Sequence, residues 1–235
     1  ETIYAFGGDD IINLSSDINV YGDVRVYGDS GNDTIWSNQG NDTLFGGDGN
    51  DNIQAGAGDD LAYGGDDNDV IHGQDGNDAL YGNRGNDTIY GNLGNDTLSG
   101  GTGSDLLKGG KGDDTYLFNI GDGHDRFYDN ESADANDKIL FGEGITQDDI
   151  MLQRSGSDLK IFFKNNPNDL LTLIPKGKEN EFYEKIRETS LNNIDNGDEI
   201  SLTQKQIIDI CVLLNGKNPN DTNPDEQCIM ETRFG

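Results

Sequence analysis

Basic residues are scarce in this 235-residue chain, where 16 Lys and Arg stand against 45 Asp and Glu for a formal net charge of −29. That balance repels polyanions, so neither nucleic acid nor an anionic membrane is an expected partner. Apolar residues are few as well, at 32%. There is no run of about eighteen apolar residues that would read as a transmembrane helix, and no N-terminal apolar signal segment. Only two cysteines occur, Cys211 and Cys228. They lack zinc spacing and leave open either one disulfide or two unpaired thiols. All four prolines lie after residue 117. Few apolar side chains under a high net charge mark a chain that cannot fold on burial alone. The sequence opens at Glu1 without Met and reads as a piece of a longer protein.

What the chain has is glycine and aspartate in strict order. Residues 28–117 divide without gaps into ten blocks of nine, of which Gly46-Gly47-Asp48-Gly49-Asn50-Asp51-Asn52-Ile53-Gln54 is the cleanest. The sixth place is always Asp: Asp33, Asp42, Asp51, Asp60, Asp69, Asp78, Asp87, Asp96, Asp105 and Asp114. The fourth place is Gly except at Asp67, and the first is Gly except at Ser37 and Ala55. The eighth is apolar throughout, from Ile35 to Tyr116. Places one to six read as loop, with Gly at one and four supplying positive φ and close backbone approach. Places seven to nine read as a short strand whose eighth residue faces inward. Two blocks then make one turn of a coil, and ten blocks make five turns flattened into two parallel sheets. One apolar residue per nine is too little core to offset the entropy of ordering the other eight.

A hard divalent cation supplies the missing term. Calcium takes six to eight oxygen ligands from carboxylates and peptide carbonyls, which are the groups that Gly-rich loops with a fixed Asp present. Alternate blocks stack on the same edge, so the Asp fall into two rows. One holds Asp33, Asp51, Asp69, Asp87 and Asp105; the other holds Asp42, Asp60, Asp78, Asp96 and Asp114. Five loops per row leave four gaps, hence about eight ions. Charge agrees: residues 28–117 contain 17 Asp, no Glu and three basic residues, for −14, against which eight Ca²⁺ would bring +16. A solvated acidic face would not keep Asp at one phase, and the seventh places are too mixed to form an ice-binding Thr ladder. Ninth-place aromatics such as Trp36, Phe45, Tyr63, Tyr81 and Tyr90 read as strand-surface stacking, and His72 as an outer residue of the same row.

The ends are less regular. Residues 1–27 read as a degenerate N-terminal cap: Asp10 lies 23 residues before Asp33, off the ninefold phase, and Val24 occupies a sixth place. After the array, Gly121-Asp122-Gly123-His124-Asp125 keeps the order with a two-residue insertion, so Asp125 is expected to close a ninth site beside Asp105. The roll is therefore assigned to residues 28–130, a mainly β capping segment to 131–216 and a polar tail to 217–235. Strands are expected at Lys138–Phe141, Ile150–Arg154, Leu159–Phe163 and Leu170–Ile174, with weaker candidates at Phe182–Arg187 and Glu199–Leu202. One helix is expected from Ser201 or Thr203 to Leu214.

The array and its exit resemble the RTX family of secreted bacterial proteins, which includes haemolysin and adenylate-cyclase toxins. The likeness extends past the repeats through Asp113-Asp114-Thr115-Tyr116-Leu117-Phe118, Gly121 to Asp125, and Asp148-Asp149-Ile150 with Arg154 to Leu159. It departs at Ile174-Pro175-Lys176, where the family has an aromatic segment, and in its two cysteines. The resemblance implies an all-β fold, a calcium-bound right-handed parallel β-roll closed by a flank that helps it fold. It also implies type I secretion from a Gram-negative cell, extracellular localisation and a calcium-free state that is unfolded. A monomeric folding module of a larger toxin, adhesin or exoenzyme is the leading expectation; a calcium-dependent receptor- or glycan-binding module is the alternative. An enzyme is not expected, because neither a zinc-protease motif nor a Ser nucleophile elbow is present.

Overall fold

In a computed structural model, residues 1–15, 22–129, 137–145, 149–155, 158–175 and 200–201 are described. Short strands alternate with tight loops: β1 (Thr2–Tyr4), β2 (Ile11–Asn13), β3 (Arg25–Ser30), β4 (Thr34–Trp36), β5 (Thr43–Asp48), β6 (Asn52–Ala57), β7 (Leu61–Asp66), β8 (Val70–Asp75), β9 (Ala79–Arg84), β10 (Thr88–Leu93), β11 (Thr97–Thr102) and β12 (Leu106–Lys111). Then follow β13 (Thr115–Phe118), β14 (His124–Asp129), β15 (Lys138–Phe141), β16 (Ile150–Ser155), β17 (Asp158–Phe163), β18 (Asn166–Pro175) and β19 (Ile200–Ser201). Odd strands β1 to β15 form one eight-stranded sheet. Even strands β2 to β14 form the other, which continues through β18, β17, β16 and β19 to eleven strands. Within the array every pairing is parallel and joins residues 18 apart, as in Thr43 with Leu61 and Leu44 with Ala62. The chain is thus the parallel β-solenoid that the ninefold period predicts. The expected helix over 203–214 and the strand over 182–187 lie outside the described residues.

The repeat is partitioned differently from the expectation. Most strands of the array run six residues, from place seven through place three of the next block, instead of three. The ladder skips one step at place one, passing from Phe45–Tyr63 to Gly47–Gly65. The bend therefore falls inside the strand. Positive φ occurs at places two and four, as at Gly47 (121°) and Gly49 (122°), and place-one Gly is not among such residues. Place two holds that conformation even without Gly, at Gln74 (80°), Asn83 (77°) and Asn92 (80°). Place-one glycine has another purpose, described with the site.

The eighth places meet between the sheets as expected: Ile35, Leu44, Ile53, Ala62, Ile71, Leu80, Ile89, Leu98 and Leu107 are fully buried. This single file ends in larger groups. Tyr116 stacks on Phe127 at 4.8 Å, and Phe118 on Phe163 at 5.1 Å. Outside, the ninth-place rings divide between the sheets. Tyr4, Tyr27, Phe45, Tyr63 and Tyr81 stack face to face at 4.8–5.2 Å on one. On the other, His72 stacks on Tyr90, with Lys108 between Tyr90 and Tyr128. Each ring of the first column covers its neighbour's face, which is the stacking role expected of parallel in-register strands.

Candidate metal-binding rows

The sixth-place carboxylates do what an acidic surface would not. From Asp33 to Asp114 none is more than 3% exposed, and Asp125 is 2% exposed. From Asp42 onward, Oδ1 accepts the backbone N–H of the sixth-place residue of the stacked block before it, beginning with Val24 N–H to Asp42 Oδ1. On one edge Asp33 donates to Asp51, Asp51 to Asp69, Asp69 to Asp87, Asp87 to Asp105 and Asp105 to Asp125, at 2.7–3.0 Å. On the other, Asp42 donates to Asp60, Asp60 to Asp78, Asp78 to Asp96 and Asp96 to Asp114, at 2.7–2.9 Å. The structure thus brings the Asp together as the two rows inferred from stacking, and it places Asp125 in the first of them. A second ladder runs beside each row at place five, where Asn50 N–H donates to Asn32 Oδ1 and Asn68 N–H to Asn50 Oδ1.

The other carboxylate oxygen is the revealing one. Oδ2 of Asp33, Asp51, Asp60, Asp69, Asp78, Asp87, Asp96 and Asp105 is buried and has no hydrogen-bond donor. A buried, donorless carboxylate oxygen is costly unless a cation meets it. Place-one glycine makes room for that oxygen. A Cβ on Gly46 would overlap Asp51 Oδ2 of its own block and approach the carbonyl of Gly64 two blocks on. The same holds for Gly82 with Asp87 Oδ2 and the Gly100 carbonyl. At Gly28, Gly46, Gly73, Gly82 and Gly91 a carboxylate oxygen of the same block and a carbonyl two blocks on thus converge on the place that a Cβ would take. Ser37 and Ala55 stand at place one in the blocks of Asp42 and Asp60, and the Ser37 hydroxyl donates to Asp42 Oδ2.

Electrostatics follow from this burial. Loss of solvent pushes Asp51, Asp78 and Asp87 up to about 6, Asp60 and Asp96 to about 7, and Asp69 to about 8. Neighbouring carboxylates in the row add to the rise at Asp60, Asp69 and Asp96. Asp105 and Asp125 are raised too, first by burial and then by charges that include Asp87 for the former and Asp105 for the latter. Backbone donors work in the opposite direction but do not cancel the desolvation. The rows therefore take up protons, or a cation, to remain buried.

The donor chemistry selects the cation. Among the described residues no three Asp, Glu, His or Cys side chains converge on one point of the kind that holds a transition metal. What converges is carboxylate and peptide oxygen, which suits a hard ion tolerant of irregular geometry. A family model described as RTX calcium-binding nonapeptide repeat (4 copies) matches overlapping segments that together run over residues 2–126, more than half of the 235-residue chain. The chain belongs to this family. Its cation is calcium.

Two solved structures are similar to parts of the chain. A subunit of the mannuronan C5-epimerase of Azotobacter vinelandii is 27% identical, with 46% of this chain and 71% of that one covered at a TM-score of 0.35. The extracellular lipase LipA of Serratia marcescens is 21% identical, with 72% of this chain and 38% of the lipase covered at 0.37. This RTX chain thus spans well under half of the lipase's length. No curated protein matches it significantly.

Two residues of the rows escape the periodicity. Asp10 N–H donates to Asp33 Oδ1 at 2.8 Å, across 23 residues. Asp114 N–H donates to Asp137 Oδ1 at 2.8 Å, again across 23. Both form the bond of the array at a separation five longer than its 18. The expectation that Asp10 falls out of phase holds along the chain and fails in space. The signal available was local: Gly7-Gly8-Asp9-Asp10-Ile11-Ile12 is a loop-and-strand on its own, and Asp137 precedes the predicted strand Lys138–Phe141.

Proposed function

We propose that this protein is a calcium-switched folding module of a larger secreted bacterial protein. Its sixth-place Asp and Asp125 hold the ions in two rows, about eight or nine in number within the expected array. In a calcium-poor cytosol the chain stays open, because bringing the buried carboxylates together without cations is unfavourable. Outside the cell, calcium bridges stacked loops, and the thin core closes at the same time. This suits export of an unfolded chain by type I secretion from a Gram-negative cell, with folding on arrival as a monomer. The module is not itself an enzyme on this reading; a toxin, adhesin or exoenzyme activity belongs to the rest of the parent.

The file of buried Oδ2 atoms without donors carries this reading. Circular dichroism of the chain in chelator and then in rising calcium tests it. A cooperative gain of β signal is expected on calcium addition; superimposable spectra in both conditions would overturn the proposal.

A further inference from the structure

One loop of the array is built unlike the others. Nine of its ten second places have positive φ, among them Asp29 (83°), Gly47 (121°) and Gly110 (109°), and Asn38 is the one that does not. The strand before it is short as well: β4 stops at Trp36, whereas β6 and β8 run on through the third place of the next block. The ladder between β4 and β6 accordingly ends at Trp36–Gln54 and resumes only as a bridge between Gln39 and Ala57. The departure begins at Ser37, which stands at a place that is glycine in eight blocks of ten.

The change in the loop is matched by a change at its carboxylate. Ser37 is buried and its hydroxyl donates to Asp42 Oδ2. The Asn38 amide donates to the same carboxylate, and Val24 N–H meets Oδ1 at 2.8 Å. Asp42 is thereby satisfied on both oxygens by the protein's own donors, as a buried carboxylate must be where no cation meets it. The corresponding Oδ2 atoms of Asp33, Asp51, Asp60 and Asp69 are buried without a donor. Bulk at place one does not explain the difference, because Ala55 carries a Cβ there and Asp60 Oδ2 still lacks a donor. The hydroxyl does explain it.

We infer that the Ser37 hydroxyl takes the place of a calcium ion in the seam between loops 37–42 and 55–60, so that this seam closes without metal. A proton aimed at Oδ2 and a divalent cation on it repel each other, so a seam that keeps the hydrogen bond excludes the ion. The ions of that row then begin at Asp60, and the turn before it is held by hydrogen bonds instead. The inference rests on the calcium-bound reading of the other seams, and it removes Asp42 from the residues that hold ions.

Native mass spectrometry, which resolves single ions, counts the calcium retained by the unaltered chain, Ser37→Gly and Ala55→Ser. Circular dichroism at saturating calcium first establishes which variants fold. Ser37→Gly removes the donor and is expected to retain one ion more than the unaltered chain. Ala55→Ser puts the same hydroxyl beside Asp60 and is expected to retain one fewer. An unchanged count in a folded Ser37→Gly overturns the inference while leaving the other seams intact. If Ser37→Gly does not fold, Ala55→Ser decides, and an unchanged count there overturns the inference in the same way. An unaltered chain that retains no calcium refutes the calcium reading itself.

Discussion

Strands β12 and β18 lie two places apart in one sheet, joined through β14, and they are buried in different ways. Beside β12 the core is one leucine, Leu107, and the loop that precedes it carries the buried carboxylate of Asp105. Around β18 the core is Leu171, Leu173, Ile161, Phe163 and Ile150, drawn from an antiparallel β16–β17–β18 meander. The first arrangement concentrates charge and needs a cation to close. The second gathers apolar area, the usual driving force of a sheet. Because β13 pairs with β15 and β14 with β18, the apolar part covers the last turn of the ionic part. On the proposed reading the two regions have separate roles: calcium holds the length of the roll, and the flank holds its end.

The largest effect expected is that of calcium removal on the roll. Trp36, the only tryptophan, lies in β4 and should shift its emission to the red in chelator, reporting loss of the array; an unshifted spectrum would erase the distinction between the two regions. Truncation after Leu117 removes β14 and β15 and exposes Leu107 and Tyr116. It should raise the calcium midpoint for folding or abolish the transition, and an unchanged midpoint would separate the flank from the roll.

Next comes the flank itself. Phe163→Ala removes the ring stacked on Phe118 and edge-on to Phe141 and should cost about 3–5 kcal/mol. Urea unfolding at saturating calcium measures this, and added calcium should not restore it. Glycines sharpen the contrast further. Gly49 has φ 122°, and a Cβ there would overlap the Gly31 carbonyl; Gly144 in the flank has φ 87° and open space around it. Gly144→Ala should cost about 1–2 kcal/mol from backbone strain, and Gly49→Ala more, read as a higher calcium midpoint.

Protons should act on one region only, and modestly. Asp51, Asp60, Asp69 and Asp96 have folded values of about 6, 7, 8 and 7, above their ordinary 3.8. Without calcium, the compact state is therefore favoured at acid pH and loses stability as pH rises from about 4 through 8. With calcium the sign reverses, because protons compete for the same oxygens, so the calcium midpoint should rise as pH falls from 8 to 5. Calcium titrations followed by circular dichroism at several pH values distinguish these outcomes; a midpoint independent of pH would contradict protonation of the rows.

Much of this was legible along the chain. Nine is the repeat because a loop and a strand use nine residues, so Asp at place six and Ile or Leu at place eight identify rows and core before any coordinates. The strands after the array were legible too: Lys138–Phe141 was placed to the residue, and β16 to β18 within a few. Glycine was read less well. Its first place was read as serving positive φ and close approach alike; φ there is not positive, and the close approach is to a carboxylate five residues ahead and a carbonyl two blocks away. The period alone does not show which groups approach.

The sequence by itself determined the period, the two acidic rows, the thin aliphatic file and the need for a counter-charge, since each depends on residue type at fixed spacing. Only the tertiary structure decided which oxygen of each Asp is left without a donor, that Ser37 meets one of them, and that Asp10 and Asp137 join the rows. The physical reason is that the bond defining a row runs from an amide to a carboxylate on the stacked loop. Such a bond is indifferent to extra residues between the loops, whereas a sequence period is broken by the first of them.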